Sequence, residues 1–155
     1  MDKKFMQRAV ELARNGMKNN QGGPFGCVIV KNGKIIAEGN NSVTSENDPT
    51  AHAEIVAIRK ACVEMGSFQL TGCELYTSCE PCPMCLGAIY WARPDRVYFA
   101  ATRNDAAEAG FDDEFIYNEL DLSPENRKIP MISLERELAT DLFGEWVGKE
   151  DKMDY

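Results

Sequence analysis

Between Phe25 and Ala100 the sequence alternates strand-like and helix-like periodicity, and this alternation constrains the fold more than any other feature. The run Phe25 to Val30, the dipeptide Asn32-Gly33 and the run Lys34 to Glu38 predict a β-hairpin closed by a type I′ turn, because both turn positions need positive φ and Asn-Gly adopts it readily. Helical spacing follows from about His52 to Met65, then an apolar run from Cys73 to Thr77. A second helix is expected from near Pro81, which suits an early helical position, to about Ala92, and a further strand from Arg96 to Ala100. Strand, helix, strand, helix, strand in that order requires crossover connections and indicates an α/β fold with a mixed sheet covered by helices.

The flanks add to this frame. From residue 3 to about 19, Phe5, Ala9, Val10, Ala13 and Met17 recur at the spacing of an amphipathic helix, which Gln21 to Pro24 ends. Asn40 to Thr50 is a predicted loop whose Asp48 or Thr50 could cap the next helix. Beyond Thr102 the pattern weakens to a loop, a short helix near Asp112 to Leu120, a candidate strand at Pro130 to Leu134 and a final helix from about Leu138. No internal repeat or linker divides the chain, so residues 1–155 are expected to form a single domain. A chain of 155 residues buries about two-thirds of its unfolded surface without help from disulfides.

Charge and cysteine usage narrow the function classes. Seventeen Lys and Arg against 25 Asp and Glu give a net charge of -8 with no basic run, which disfavours nucleic acid as a partner. No stretch approaches the roughly 18 apolar residues of a membrane span, and Met1 to Arg8 lacks a signal peptide's apolar region. A cytoplasmic location without membrane contact is therefore expected. In a reducing compartment the six cysteines are more apt to bind metal or do chemistry than to form disulfides.

His52-Ala53-Glu54 precedes Pro81-Cys82-Pro83-Met84-Cys85, the HxE and PCxxC pairing that marks zinc nucleobase and nucleoside deaminases. On a helix, residues three apart differ by about 60° in direction, so Cys82 and Cys85 aim their sulfurs at one place. In a first turn, free backbone N–H groups and the helix dipole favour the thiolates. His52 supplies a third ligand and leaves the fourth tetrahedral position of Zn²⁺ open, the mark of a catalytic rather than a structural site. Glu54 is read as a proton shuttle, because a site with two thiolates acidifies water less than one with three histidines and benefits from a carboxylate base beside it. His52 alone could be a core histidine, and CxxC alone a redox pair or half of a structural site. Cys79 completes a CxxCxxC run that could bind a structural ion without His52, although Pro81 separates it from the helix that aligns the other two. Cys27, Cys62 and Cys73 lie in apolar patterns and read as core.

The segments GGPFG (Gly22 to Gly26), NDPTAHAE (Asn47 to Glu54), YTSCEPCPMCLGAIYWARP (Tyr76 to Pro94) and AEAGFDDEFIY (Ala107 to Tyr117), with the C-terminal Tyr155, resemble the short bacterial guanine deaminases of the cytidine deaminase-like superfamily. The resemblance implies a three-layer α/β/α sandwich with a central mixed sheet, one zinc per subunit, and a homodimer whose C-terminal segment, from about residue 110 to 155, crosses to the partner. It implies zinc binding by His52, Cys82 and Cys85, proton transfer by Glu54, and contacts to a purine base from Phe25, Asn41, Trp91, Asp113 and Tyr155. Each contact has a plainer rival reading. Phe25 and Trp91 sit in apolar patterns that fit core, and Asp113 could be a cap or a solvated charge. Asn41 could serve the turn, and Tyr155 ends a charged tail of the kind that frays.

The activity this implies is hydrolytic deamination of guanine to xanthine and ammonia. Cytosine deaminase and tRNA adenosine deaminase share the metal centre and differ in the pocket, the latter being opposed by the acidic balance. A structural-zinc module without activity is a third reading, which has no use for a carboxylate at the position of Glu54.

Overall fold

The computed structural model describes residues 2–155, which gather into one unit ending at Asp113 and another from Glu114 to Tyr155. The first opens with α1 (Lys3–Lys18), whose N-cap Asp2 accepts a hydrogen bond from the Lys4 backbone N–H at 3.1 Å. That bond satisfies one of the donors a first turn leaves without an intrahelical partner. Phe5, Ala9 and Ala13 are its buried stripe, while Val10 and Met17, expected on the same face, lie at its exposed margins.

Strands β1 (Gly26–Lys31) and β2 (Lys34–Asn40) form the predicted hairpin, with φ of 51° at Asn32 and 72° at Gly33, both positive as a type I′ turn requires. The loop after β2 contains a single-turn helix, α2 (Val43–Glu46), ended by Asn47 in the left-handed region. Then come α3 (Ala53–Met65), β3 (Cys73–Cys79), α4 (Pro83–Ala92) and β4 (Arg96–Ala101). The sheet order is β2-β1-β3-β4, antiparallel across β1 and parallel between β3 and β4, with α4 as the crossover that a parallel pair needs.

Side-chain alternation divides the core between the two faces. Val28 and Val30 pack with Phe5 and Tyr76 on the α1 side. Cys27 and Ile29 join Leu75, Ala53, Ala57, Ala61 and Ile89 on the side of α3 and α4. With helices on both faces, the architecture is the expected three-layer α/β/α sandwich, and β1, buried on both sides, reads as a continuous apolar run. The alanines on α3 let it lie close to β2. At Gly39 an added Cβ would meet the Ala53 carbonyl oxygen at 2.3 Å and the Ala57 nitrogen at 2.8 Å, so only glycine admits the first turn of α3 there.

Three segments depart from expectation. The chain after Thr102 forms α5 (Arg103–Glu108) instead of a loop, started by a capping box in which Thr102 and Asp105 bond each other's backbone N–H. In the second unit, α6 (Glu114–Leu120), a 3₁₀ turn (Pro124–Asn126) and α7 (Arg136–Gly148) follow in order. The candidate strand at 130–134 is not a strand, because the four strands among the described residues belong to the first unit and an extended segment becomes a strand only beside a partner. The final helix starts at Arg136, two residues before the expected Leu138. No helix among the described residues is long and apolar enough to cross a membrane.

Candidate active site

Topology brings the two motif segments together. Strands β2 and β3 both run antiparallel to β1, so their carboxyl ends lie at the same end of the sheet, and the chain enters α3 and α4 from there. Ligands bind at such strand ends in open α/β sheets. His52 is the N-cap of α3 and Glu54 lies in its first turn. Cys82 is the N-cap of α4, and Cys85 its third residue. The helix starts two residues later than Pro81, and the proline at its first position is Pro83, where a missing N–H breaks no bond.

His52 Nδ1 lies 3.5 Å from the sulfur of Cys82 and 3.5 Å from that of Cys85. A tetrahedral zinc with Zn–S of about 2.3 Å and Zn–N of about 2.0 Å separates sulfur from nitrogen by about 3.5 Å, so the donor set fits this ion. His52, Cys82 and Cys85 are the group among the described residues whose ligand atoms converge in this way, all within 4.8 Å of one another.

Electrostatics favour a cation here. The Cys82 thiol is pulled down to about 4, chiefly by the Cys85 S–H that donates to it and further by His52 and the Cys85 backbone N–H. Giving that hydrogen bond, together with burial, pushes Cys85 upward. The hydrogen bond with Cys82 raises His52. A thiol that becomes a metal ligand gives up its proton on binding. Glu54 is buried, and burial pushes its carboxyl above the usual carboxylate range while the Thr77 hydroxyl, donating to Oε1 at 2.9 Å, pulls the other way. A carboxyl raised from its ordinary value by burial is suited to accept and return a proton.

These residues open onto a cavity of about 350 Å³, also lined by Phe25, Asn41, Phe111 and Asp113. Phe25 and Phe111 meet edge to face with centroids 4.9 Å apart and form an aromatic wall. Asn41 is buried, and its Oδ1 accepts from the backbone N–H groups of Gly23 at 3.2 Å and Val43 at 3.3 Å. Both bonds engage the oxygen, which identifies the amide NH₂ as the end left to donate elsewhere. Asp113 is half-buried, and burial foremost, then Cys82, raises its carboxyl.

Trp91 is not part of this lining. It stands 63% exposed on α4, and six residues beyond Cys85 correspond to about 240° of helical rotation, which turns it away from the buried stripe of Cys85, Ile89 and Ala92. Tyr155 ends the second unit with its ring exposed. Cys79 is a buried thiol donating to the Thr102 carbonyl at 3.6 Å, and Cys27 and Cys73 are core. Phe111 and Thr77 were not singled out from the sequence. Phe111 lies within the AEAGFDDEFIY segment and Thr77 within YTSCEPCPMCLGAIYWARP, but no spacing or local pattern marks Thr77 out from any other strand threonine.

An α/β/α sandwich that sets one imidazole, two thiols and a buried carboxylate at the mouth of an aromatic-walled cavity defines the class of zinc-dependent deaminases acting on nucleobase rings. Residues 1–101 match the cytidine and deoxycytidylate deaminase zinc-binding region, and the chain belongs to that family. It is 58% identical over 151 residues, 97% of this chain and 97% of that protein, to the guanine deaminase of Bacillus subtilis (strain 168). The X-ray structure of guanine deaminase from Bacillus subtilis matches with a TM-score of 0.93 at 57% identity, covering 100% of this chain and 99% of that one. A tRNA-specific adenosine deaminase of Aquifex aeolicus (strain VF5) is 36% identical over 145 residues, 94% of this chain and 93% of that protein.

Proposed function

We propose that the protein is a guanine deaminase, a zinc aminohydrolase that converts guanine and water to xanthine and ammonia. The observation that carries this reading is the 58% identity with a guanine deaminase across 97% of the chain, which extends beyond the zinc-binding region into the second unit. When bound by His52, Cys82 and Cys85, zinc supplies a Lewis acid beside the reacting ring carbon. The rest belongs to the chain's own residues. Glu54 accepts one proton from the attacking water and gives it to the ring nitrogen, then takes the second from the hydroxyl now on the ring carbon and gives it to the amine, which leaves as ammonia. We assign Phe25, joined by Phe111 in place of Trp91, to the face of the purine. The Asn41 NH₂ donates to an acceptor on its edge, such as the oxo oxygen or N7, and the Asp113 carboxylate accepts from its N–H groups.

A tRNA substrate is disfavoured by the net charge of -8 and by a cavity lining on which Glu80, Asp112 and Asp113 outnumber the cation Arg103. A structural-zinc module leaves a buried Glu54 without purpose. Ammonia release from a panel of bases and nucleosides tests the reading: guanine is expected to be deaminated faster than cytosine, adenine and guanosine. Faster release from cytosine, or from adenosine in tRNA, overturns it.

The proposal extends to a cytoplasmic homodimer that exchanges the segment from about residue 110 to 155. All six cysteines are free thiols, as suits a reducing compartment. The second unit has no buried residue on its helices, and Ile132 at 83%, Leu134 at 84% and Val147 at 72% exposure are apolar surface of the kind that subunits cover. Tyr155 would then close the base site of the partner subunit. Deleting Tyr155 is expected to impair guanine turnover, and mixing that variant with Glu54→Gln under verified subunit exchange should restore part of it, since some dimers regain one intact composite site. Wild-type kinetics for the deletion remove Tyr155 from the site, and a defect without recovery places it in its own subunit.

A further inference from the structure

We infer that Thr77 is a positioning residue for Glu54: its hydroxyl engages Oε1 and leaves Oε2 as the oxygen that carries the shuttled proton. Thr77 lies near the carboxyl end of β3, paired with Cys27 on β1 and Phe99 on β4, and is 1% exposed. It shares a sheet face with Cys73 and Leu75, the face covered by α3, and from there its Oγ1 reaches Glu54 Oε1 at 2.9 Å. Oε2 lies on the other side of the carboxyl, 3.4 Å from the sulfur of Cys85. The two oxygens are therefore inequivalent. Only Oε2 is turned toward the metal donors, where water and the leaving amine must pass.

The Cys85 contact cannot orient Glu54 during turnover, because a cysteine that binds zinc has lost its S–H and becomes an anion beside a carboxylate. The Thr77 hydroxyl survives metal loading. It donates to Oε1 whether Oε2 is ionised or protonated, so it holds the carboxyl plane through a complete cycle of proton transfer. A β-branched residue suits the task, because its χ1 is stiff and the strand backbone aims the hydroxyl. A general base must hold its geometry to within a fraction of an ångström, and a carboxylate free to rotate spends part of its time with the wrong oxygen forward. A buried hydroxyl also needs some partner, so a purely structural bond is the competing account, and the experiment must separate the two.

The inference rests on guanine deamination with Glu54 as the shuttle, so Glu54→Gln is measured alongside. Thr77→Val keeps the shape and removes the hydroxyl. It is expected to retain zinc and a melting temperature close to that of the wild type, to leave KM nearly unchanged, and to lower kcat by about 10- to 100-fold, the range for a lost hydrogen bond to a charged group. Thr77→Ser should recover most of kcat and Thr77→Ala should not. That pair differs only in the hydroxyl and decides the matter even where Thr77→Val folds poorly. In the Glu54→Gln background Thr77→Val should change residual turnover by less than about 2-fold, since the residue acts through the carboxylate. Equal kcat for Thr77→Ser and Thr77→Ala, or the full loss repeated in the Glu54→Gln background, overturns the assignment. An active Glu54→Gln instead overturns the proton-shuttle reading beneath it.

Discussion

Glu54→Gln is expected to keep its zinc and to lose about 10²- to 10⁴-fold in kcat, the usual range for removing a general acid/base. The substitution preserves the side chain's shape and replaces the proton acceptor by an amide. The site around it should persist, because none of the three metal donors is altered and the Thr77 hydroxyl can still donate to the amide oxygen where Oε1 stood. Loss concentrated in kcat, with KM close to that of the wild type, is the signature of an interaction made in the transition state rather than in ground-state binding. Metal content by mass spectrometry and steady-state ammonia release check both halves. Turnover near the wild-type rate would show that the proton passes by another group.

His52→Ala, Cys82→Ala and Cys85→Ala should each lower zinc from about one ion per chain and take activity down in proportion, since a catalytic site of three protein ligands has none to spare. The Cys82 and Cys85 variants are expected to be the more severe, because the two sulfurs are the anions that offset the ion's charge. Removing the metal from the unmodified enzyme with a chelator should give the same loss, reversed by adding zinc. Stoichiometric zinc in all three variants would refute the ligand assignment.

The parts of this protein legible in its sequence are those governed by residues close together in the chain. The Asn32-Gly33 turn, the strands either side of it, the helices from about His52 and Pro81, and the aim of Cys82 and Cys85 at one point all follow from φ/ψ preferences and from periods of 2 and 3.6 residues. The Thr102-x-x-Asp105 capping box was equally local, and α5 could have been read from it.

What only the tertiary structure decided depends on partners far away in sequence. The run at 130–134 has strand composition, yet strand formation is settled by whether another chain segment offers a ladder, and none of the described residues does so there. Trp91 belongs to the same helix as both cysteines, but rotation about the helix axis against α3 and the sheet decides which side faces the cavity, and it faces away. Thr77 and Glu54 are 23 residues apart on different elements, and the 2.9 Å bond between them exists because α3 packs on the sheet face that carries Thr77, its first turn lying close to β2 where Gly39 leaves room. Metal ligands are recognisable from spacing because the ion imposes its geometry on residue types and intervals. The groups that orient them are chosen by packing, which leaves no interval in the sequence to read.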